Sequence, residues 1–369
     1  MSVAPIGIGD RLIGPGERVN VDVPLPSLYT QSPVFLPIQV LHGRRPGPVL
    51  FVTAAIHGDE INGVEIIRRL MTTKAVRHLR GTLLAVPVVN TYGFVRQSRY
   101  LPDRRDLNRS FPGSETGSLA ARLANTLMRE VVTRATHGID LHTGAAHREN
   151  LPQIRTALDA DASLPGLARA FGAPVILNSE LRDGSLRAAA AERQIPLLVY
   201  EAGEALRFDE IAIRAGLRGI LAVMRHLGML RGAGGLRLRP VATPVVARAS
   251  LWVRAQQSGV LRSLTPLGAQ VHRGDRLGVI ADVFRHEEES VLAPVNGIVI
   301  GRTNLPLVTE GEALYHIARF GRPDEAAESV ERFQSAFARD EAADDLEARS
   351  DHRPFESQAP VDERPHESA

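Results

Sequence analysis

The sequence predicts an α/β layered domain, a mostly parallel mixed sheet flanked by helices, followed by a second, smaller all-β domain of barrel or sandwich type. Three observations predict it. Up to residue 230, continuous apolar runs alternate with segments of helical spacing. Beyond the glycine-rich Arg231-Gly232-Ala233-Gly234-Gly235, short β-prone segments with regular glycine turns replace them. The 369 residues, 44% hydrophobic, supply a large core with room for a further small domain. The expected units are 1–235, 236–320 and an acidic tail, 321–369.

Each element has its own signal. Residues 49–55 are apolar almost throughout, as a strand covered on both faces requires. After His57-Gly58-Asp59-Glu60, apolar residues at 61, 64, 66, 67 and 70 follow helical spacing, giving strand, sharp turn, helix. Strands are then expected at 81–89, 138–141, 174–177 and 196–200, and helices at 118–134, 164–171 and 208–230.

The second region repeats itself. Ser258-Gly259-Val260-Leu261 leads to Gly274 and Leu277, and Asn296-Gly297-Ile298-Val299 leads to Gly311 and Leu314. This repeat and the Ala293-Pro294-Val295-Asn296-Gly297 turn resemble the biotinyl/lipoyl-like β-fold, yet the region has no lysine to carry a cofactor. From Arg322 onward, 14 Asp/Glu face 6 Arg, a net charge of −8. Few aliphatic residues accompany them, so the tail is expected to be disordered, with at most a frayed helix near 325–346.

Composition excludes several classes. The 44 basic and 42 acidic residues nearly cancel, leaving no charge-based reason to expect nucleic acid or a membrane as partner. Without cysteine there is no disulfide, thiolate nucleophile or Cys-based metal site, so any metal is held by imidazole, carboxylate or carbonyl groups. Lys74 is the only lysine, which excludes Schiff-base or P-loop chemistry elsewhere. Met1 to Pro26 shows no basic segment followed by an apolar stretch, no later run approaches roughly 18 apolar residues, and a soluble, cytoplasmic chain is expected.

Chemistry concentrates in the first region. His57 and Glu60, three apart at a strand end, can aim at one point, and imidazole plus carboxylate make two-thirds of a catalytic zinc shell. His142, at the end of another apolar strand, is the third candidate, and that edge is where open α/β sheets place ligands. Asp140 could orient an imidazole from behind, with its partner open.

Taken in order, His57-Gly58-Asp59-Glu60, Ser98-Arg99-Tyr100, Asp106-Leu107-Asn108-Arg109-Ser110-Phe111, Asp140-Leu141-His142 and Tyr200-Glu201-Ala202-Gly203 resemble the succinylglutamate desuccinylase/aspartoacylase family, a branch of the zinc carboxypeptidase-like hydrolases. The likeness covers roughly residues 40–230 and extends through the β region to about 320. It implies the zinc carboxypeptidase-like sheet, with one zinc per chain held by His57, Glu60 and His142 and a position left for water, whose pKa zinc lowers toward about 7. It also implies Glu201 as catalytic proton carrier, with Glu204 its rival, Arg99 as the residue that polarises the scissile carbonyl, and Asn108 with Arg109 as the pair that binds a substrate carboxylate.

The alternative for these arginines is surface ion pairing with Asp103 and Asp106, preferred for Arg104 and Arg105. Arg148 and Arg155 are kept outside the site as weak candidates for a second anionic group. The expected activity is zinc-dependent hydrolysis of the acyl–nitrogen bond of a small N-acyl amino acid or related amide. A metallocarboxypeptidase acting on peptides, or a metal-binding scaffold without turnover, are the alternatives. A homo-oligomer is compatible with the sequence.

Overall fold

The computed structural model describes residues 3–230, 241–284 and 287–350, the last eleven as helix backbone alone. One long mixed sheet organises the chain. Its strands run, side by side, Arg18–Leu25, Val34–His42, Thr82–Val86, Val49–Ala54, His137–Gly144, Leu197–Glu204, Arg148–Thr156, Gly297–Thr303, Ala313–Arg319 and Ala249–Arg254. The four strands Thr82–Val86, Val49–Ala54, His137–Gly144 and Leu197–Glu204 are mutually parallel, so their carboxyl ends share one edge.

The apolar runs are explained by burial on both faces. Leu50, Val52 and Ala54 pack with Ile66, Ile67 and Leu70 of the Asn62–Thr72 helix, and with the Leu164–Phe171 and Glu210–His226 helices. Phe51, between them in sequence, points to the other core with Leu84, Leu123, Leu127 and Leu197. A strand whose alternate residues enter two cores has no polar face to show. The expected α/β class with a smaller antiparallel β unit is therefore the fold observed.

In the β region the two repeat copies occupy equivalent positions. Gly259–Ser263 pairs antiparallel with Arg276–Ala281, and Gly297–Thr303 with Ala313–Arg319. Gly274 and Gly311 both adopt positive φ, 93° and 81°, at matching turns. The two halves enclose a core of Leu261, Leu277, Ile280, Val299, Leu314 and Ile317. One copy also joins the central sheet, because Gly297–Thr303 pairs with Arg148–Thr156.

The tail differs from expectation. Pro323–Ser350 is a helix, and Ala326, Val330, Phe333 and Phe337 on it are buried. Spacings of four, three and four put them on one stripe. Acidic composition obscured that stripe: where a frayed helix near 325–346 was expected in a disordered tail, a helix runs from Pro323 to Ser350 and docks through it, so the expectation of disorder is corrected over 323–350. The linker glycines 231–235 and the residues after 350 lie outside the described residues. Four amino-terminal strands, the Arg148–Thr156 strand and the Leu186–Ala191 helix lacked a sequence expectation. Among the described residues no helix is long and apolar enough to cross a membrane.

Candidate active site

The first two candidate ligands are placed by a turn. Past Ala54, Ala55 takes a left-handed φ of 51°, a conformation costing about 1–2 kcal/mol for a residue with a Cβ. The chain then reverses, and the Glu60 amide donates to the His57 carbonyl at 3.1 Å. Gly58 lets this turn pass against the Gly93–Phe94 peptide, where a Cβ would lie 2.1 Å from the Gly93 carbonyl carbon. The Leu206 amide donates to the Asp59 carbonyl at 2.8 Å and ties the turn to the neighbouring strand end.

Glu60 ends between two imidazoles. Its Oε1 lies 2.7 Å from His57 Nδ1 and its Oε2 2.7 Å from His142 Nδ1. All three side chains are buried, and one ligand atom from each lies within 4.8 Å of the others. His142 Nε2 faces Asp140 at 2.7 Å, and Thr53 Oγ1 donates to the other Asp140 oxygen at 2.7 Å. His57 Nε2 faces Asp106 at 3.2 Å. The Arg99 guanidinium reaches Glu60 at 3.2 Å and Asp106 at 3.1 Å.

The electrostatics favour a cation at this point. Burial alone pushes His57 and His142 down, but the carboxylates facing them win: Glu60 and Asp106 raise His57, and Asp140 and Glu60 raise His142 well above the ordinary histidine value. Glu60 is correspondingly held below the carboxylate range despite complete burial, chiefly by the two histidines. A buried nitrogen–oxygen donor set whose field draws positive charge, with no sulfur donor, fits a borderline divalent metal such as zinc.

Glu201 lies directly beside His142, its register partner on the adjacent parallel strand. The register slips just after Glu201, and Gly203, at a φ of 73°, takes up the bulge. Asn150 Nδ2 donates to Glu201 Oε2 at 2.7 Å, and Arg155 Nη1 stands 3.5 Å from Oε1. Glu204 is committed elsewhere, accepting from the His147 amide at 3.0 Å and Asn304 Nδ2 at 2.9 Å.

Asn108 and Arg109 sit on a short turn, Leu107–Arg109, that begins just after Asp106. Asn108 Oδ1 accepts from the Leu186 amide at 2.9 Å, and exposed Arg109 donates to the Asn108 carbonyl. Neither is brought into hydrogen-bond contact with the His57–Glu60–His142 group. Arg105 is exposed and pairs with Asp103 at 3.9 Å, and Arg104 is exposed. Arg99 pairs with Asp106, as the ion-pair alternative expected, and also reaches Glu60.

A sequence model of the succinylglutamate desuccinylase/aspartoacylase catalytic domain matches residues 46–227. By that match, residues 46–227 form a catalytic domain of this family. An N-alpha-acetyl-L-2,4-diaminobutyric acid deacetylase from Halomonas elongata is 29% identical over 299 residues, 77% of this chain and 86% of that protein. A succinylglutamate desuccinylase/aspartoacylase from Rhodobacter sphaeroides shares the fold with a TM-score of 0.75 at 26% identity, covering 82% of this chain and 96% of its own. The product-bound ectoine utilization protein EutE (DoeB) from Ruegeria pomeroyi gives 0.72 at 25% identity, covering 82% and 94%.

Three groups around the site had no role assigned from the sequence. Asp106, which stands behind His57, appeared there as part of a motif and as an ion-pair partner for arginines. The Thr143 amide, which donates to Glu60 at 3.1 Å, carries no side-chain signal. Asn150 lies on a strand masked by Pro152 and by the polar residues around it.

Proposed function

We propose that this chain is a zinc-dependent amidohydrolase that cleaves the acyl–nitrogen bond of a small N-acyl amino acid. The observation that carries this is the placement of Glu201 beside His142 in the same sheet register, next to the buried His57–Glu60–His142 group. His57, Glu60 and His142 would hold one zinc per chain, which supplies Lewis-acid polarisation and acidifies water toward a pKa of about 7.

The chain's own groups do the rest. Glu201 takes a proton from the attacking water at its carboxylate and returns it to the leaving nitrogen, so the products are a carboxylate and a free amine. Arg99 places a guanidinium beside the ligand carboxylate Glu60, where it stabilises negative charge developing on the scissile carbonyl oxygen. Arg109, exposed beside Asn108, binds the substrate carboxylate by two parallel hydrogen bonds, the fork geometry that lysine lacks. The Halomonas relative, a deacetylase of an N-acetylated diamino acid, supports the acyl–nitrogen bond as the one cleaved.

The test is release of free amine by the zinc-loaded protein from a panel of N-acetyl amino acids, N-succinyl amino acids and dipeptides. The expected outcome is turnover of an N-acyl amino acid in preference to the dipeptides. Preference for the dipeptides would replace the deacylase with a carboxypeptidase, and no turnover of any of them would contradict the proposal.

A further inference from the structure

We propose that Asn150 is a positioning residue for Glu201, and that Gly301 of the antiparallel β region holds Asn150 in place. This rests on the reading of Glu201 as the proton carrier. Asn150 is buried, 6% exposed, and its amide group is 2.7 Å from Glu201 Oε2. An ionised carboxylate accepts only, so the group facing it is the amide nitrogen. With Arg155 on the other oxygen, Glu201 is fixed from the strand beside it rather than from its own.

Asn150 is itself wedged. Its register partner across the sheet is Gly301, whose next partner is His316, which in turn faces Trp252. A Cβ at position 301 would lie 2.9 Å from Asn150 Oδ1 and 3.3 Å from His316 Cβ. His316 cannot yield easily: it is buried and stacks on Trp252 with ring centroids 4.6 Å apart and planes 8° apart. Arg148 lies over the other partner of that stack, 5.6 Å from the Trp252 ring. Any side chain at 301 therefore pushes Asn150, and through its amide the Glu201 carboxylate. The β region thus reaches the proton carrier through one hydrogen bond.

Two substitutions in the full-length protein test this. Asn150→Asp keeps the shape and turns the donor into an acceptor; Gly301→Ala adds the intruding methyl. Crystal structures of both should show the Glu201 carboxylate moved from its place beside His142, while zinc content stays native. With the fastest N-acyl amino acid of the panel, Asn150→Asp should lower kcat roughly tenfold to a hundredfold with KM changed less than about twofold. Gly301→Ala should lower kcat roughly tenfold, and by nothing further in an Asn150→Ala background. Neither should lower the residual rate of Glu201→Gln. An unmoved carboxylate in both crystal structures, or losses that simply add, would overturn the proposal. Native turnover by Glu201→Gln would instead overturn the role of Glu201, and the crystal structures would still decide the geometry.

Discussion

The Asp140 carboxylate lies 2.7 Å from Nε2 of His142, two residues along the same strand, while Nδ1 of that ring faces Glu60. The two-residue period of a strand puts both side chains on one face, so Asp140 decides which ring nitrogen is left for a metal. Asp140→Asn should keep the fold and weaken zinc affinity about tenfold to a hundredfold, measured by competition with a chromogenic chelator. Native affinity would show that Asp140 only fills space.

Glu201→Gln should retain zinc and lose most turnover, since it removes the proposed proton carrier and spares His57, Glu60 and His142. Glu204 is occupied by the His147 amide and Asn304, so Glu204→Gln should act on stability more than on kcat. A larger kcat loss in Glu204→Gln would exchange the two roles.

Arg109→Lys keeps the charge and loses the planar fork. It should lower kcat/KM for a carboxylate substrate by about 1–3 kcal/mol in transition-state terms. The amidated substrate should be poor for the native enzyme and little affected by the substitution. Equal losses on acid and amide would make Arg109 a surface residue with no part in substrate binding.

Burial, reinforced by Arg155 and Arg182, pushes the His316 imidazole down to about 3 from an ordinary value of 6.5. The folded ring therefore stays neutral at a pH where the unfolded chain binds a proton. Its contribution is complete above about pH 6.5 and is lost as pH falls from there toward about 3, at up to about 1.4 kcal/mol per unit. His316→Phe keeps a ring against Trp252 and should flatten the stability profile between pH 5 and about 6.5. Parallel profiles in urea unfolding would contradict this.

Much of the fold was legible because burial on both faces writes itself into sequence: Val49–Ala54 and Leu197–Glu204 begin as unbroken apolar runs. The ligand candidates were legible because they sit at the ends of such runs. What sequence concealed were contacts made across the sheet. Asp140 could be suspected of orienting an imidazole, but only register identifies His142 as its partner. Asn150 and Gly301 are 151 positions apart and meet only because a β-region strand adds to the central sheet. A helix near 325–346 could be read from the sequence, but its docking was hidden because the four buried apolar residues Ala326, Val330, Phe333 and Phe337 are outvoted by the acidic residues around them.

Titration of metal-free protein with zinc, while amine release from an N-acyl amino acid is followed, tests the zinc centre most directly. Activity should rise from near zero and break at about one equivalent per chain, as three buried ligands with one position left for water require. His57→Ala and His142→Ala should show no break. Turnover that is already complete without zinc, or an undiminished break in both variants, would contradict a zinc centre built from His57, Glu60 and His142.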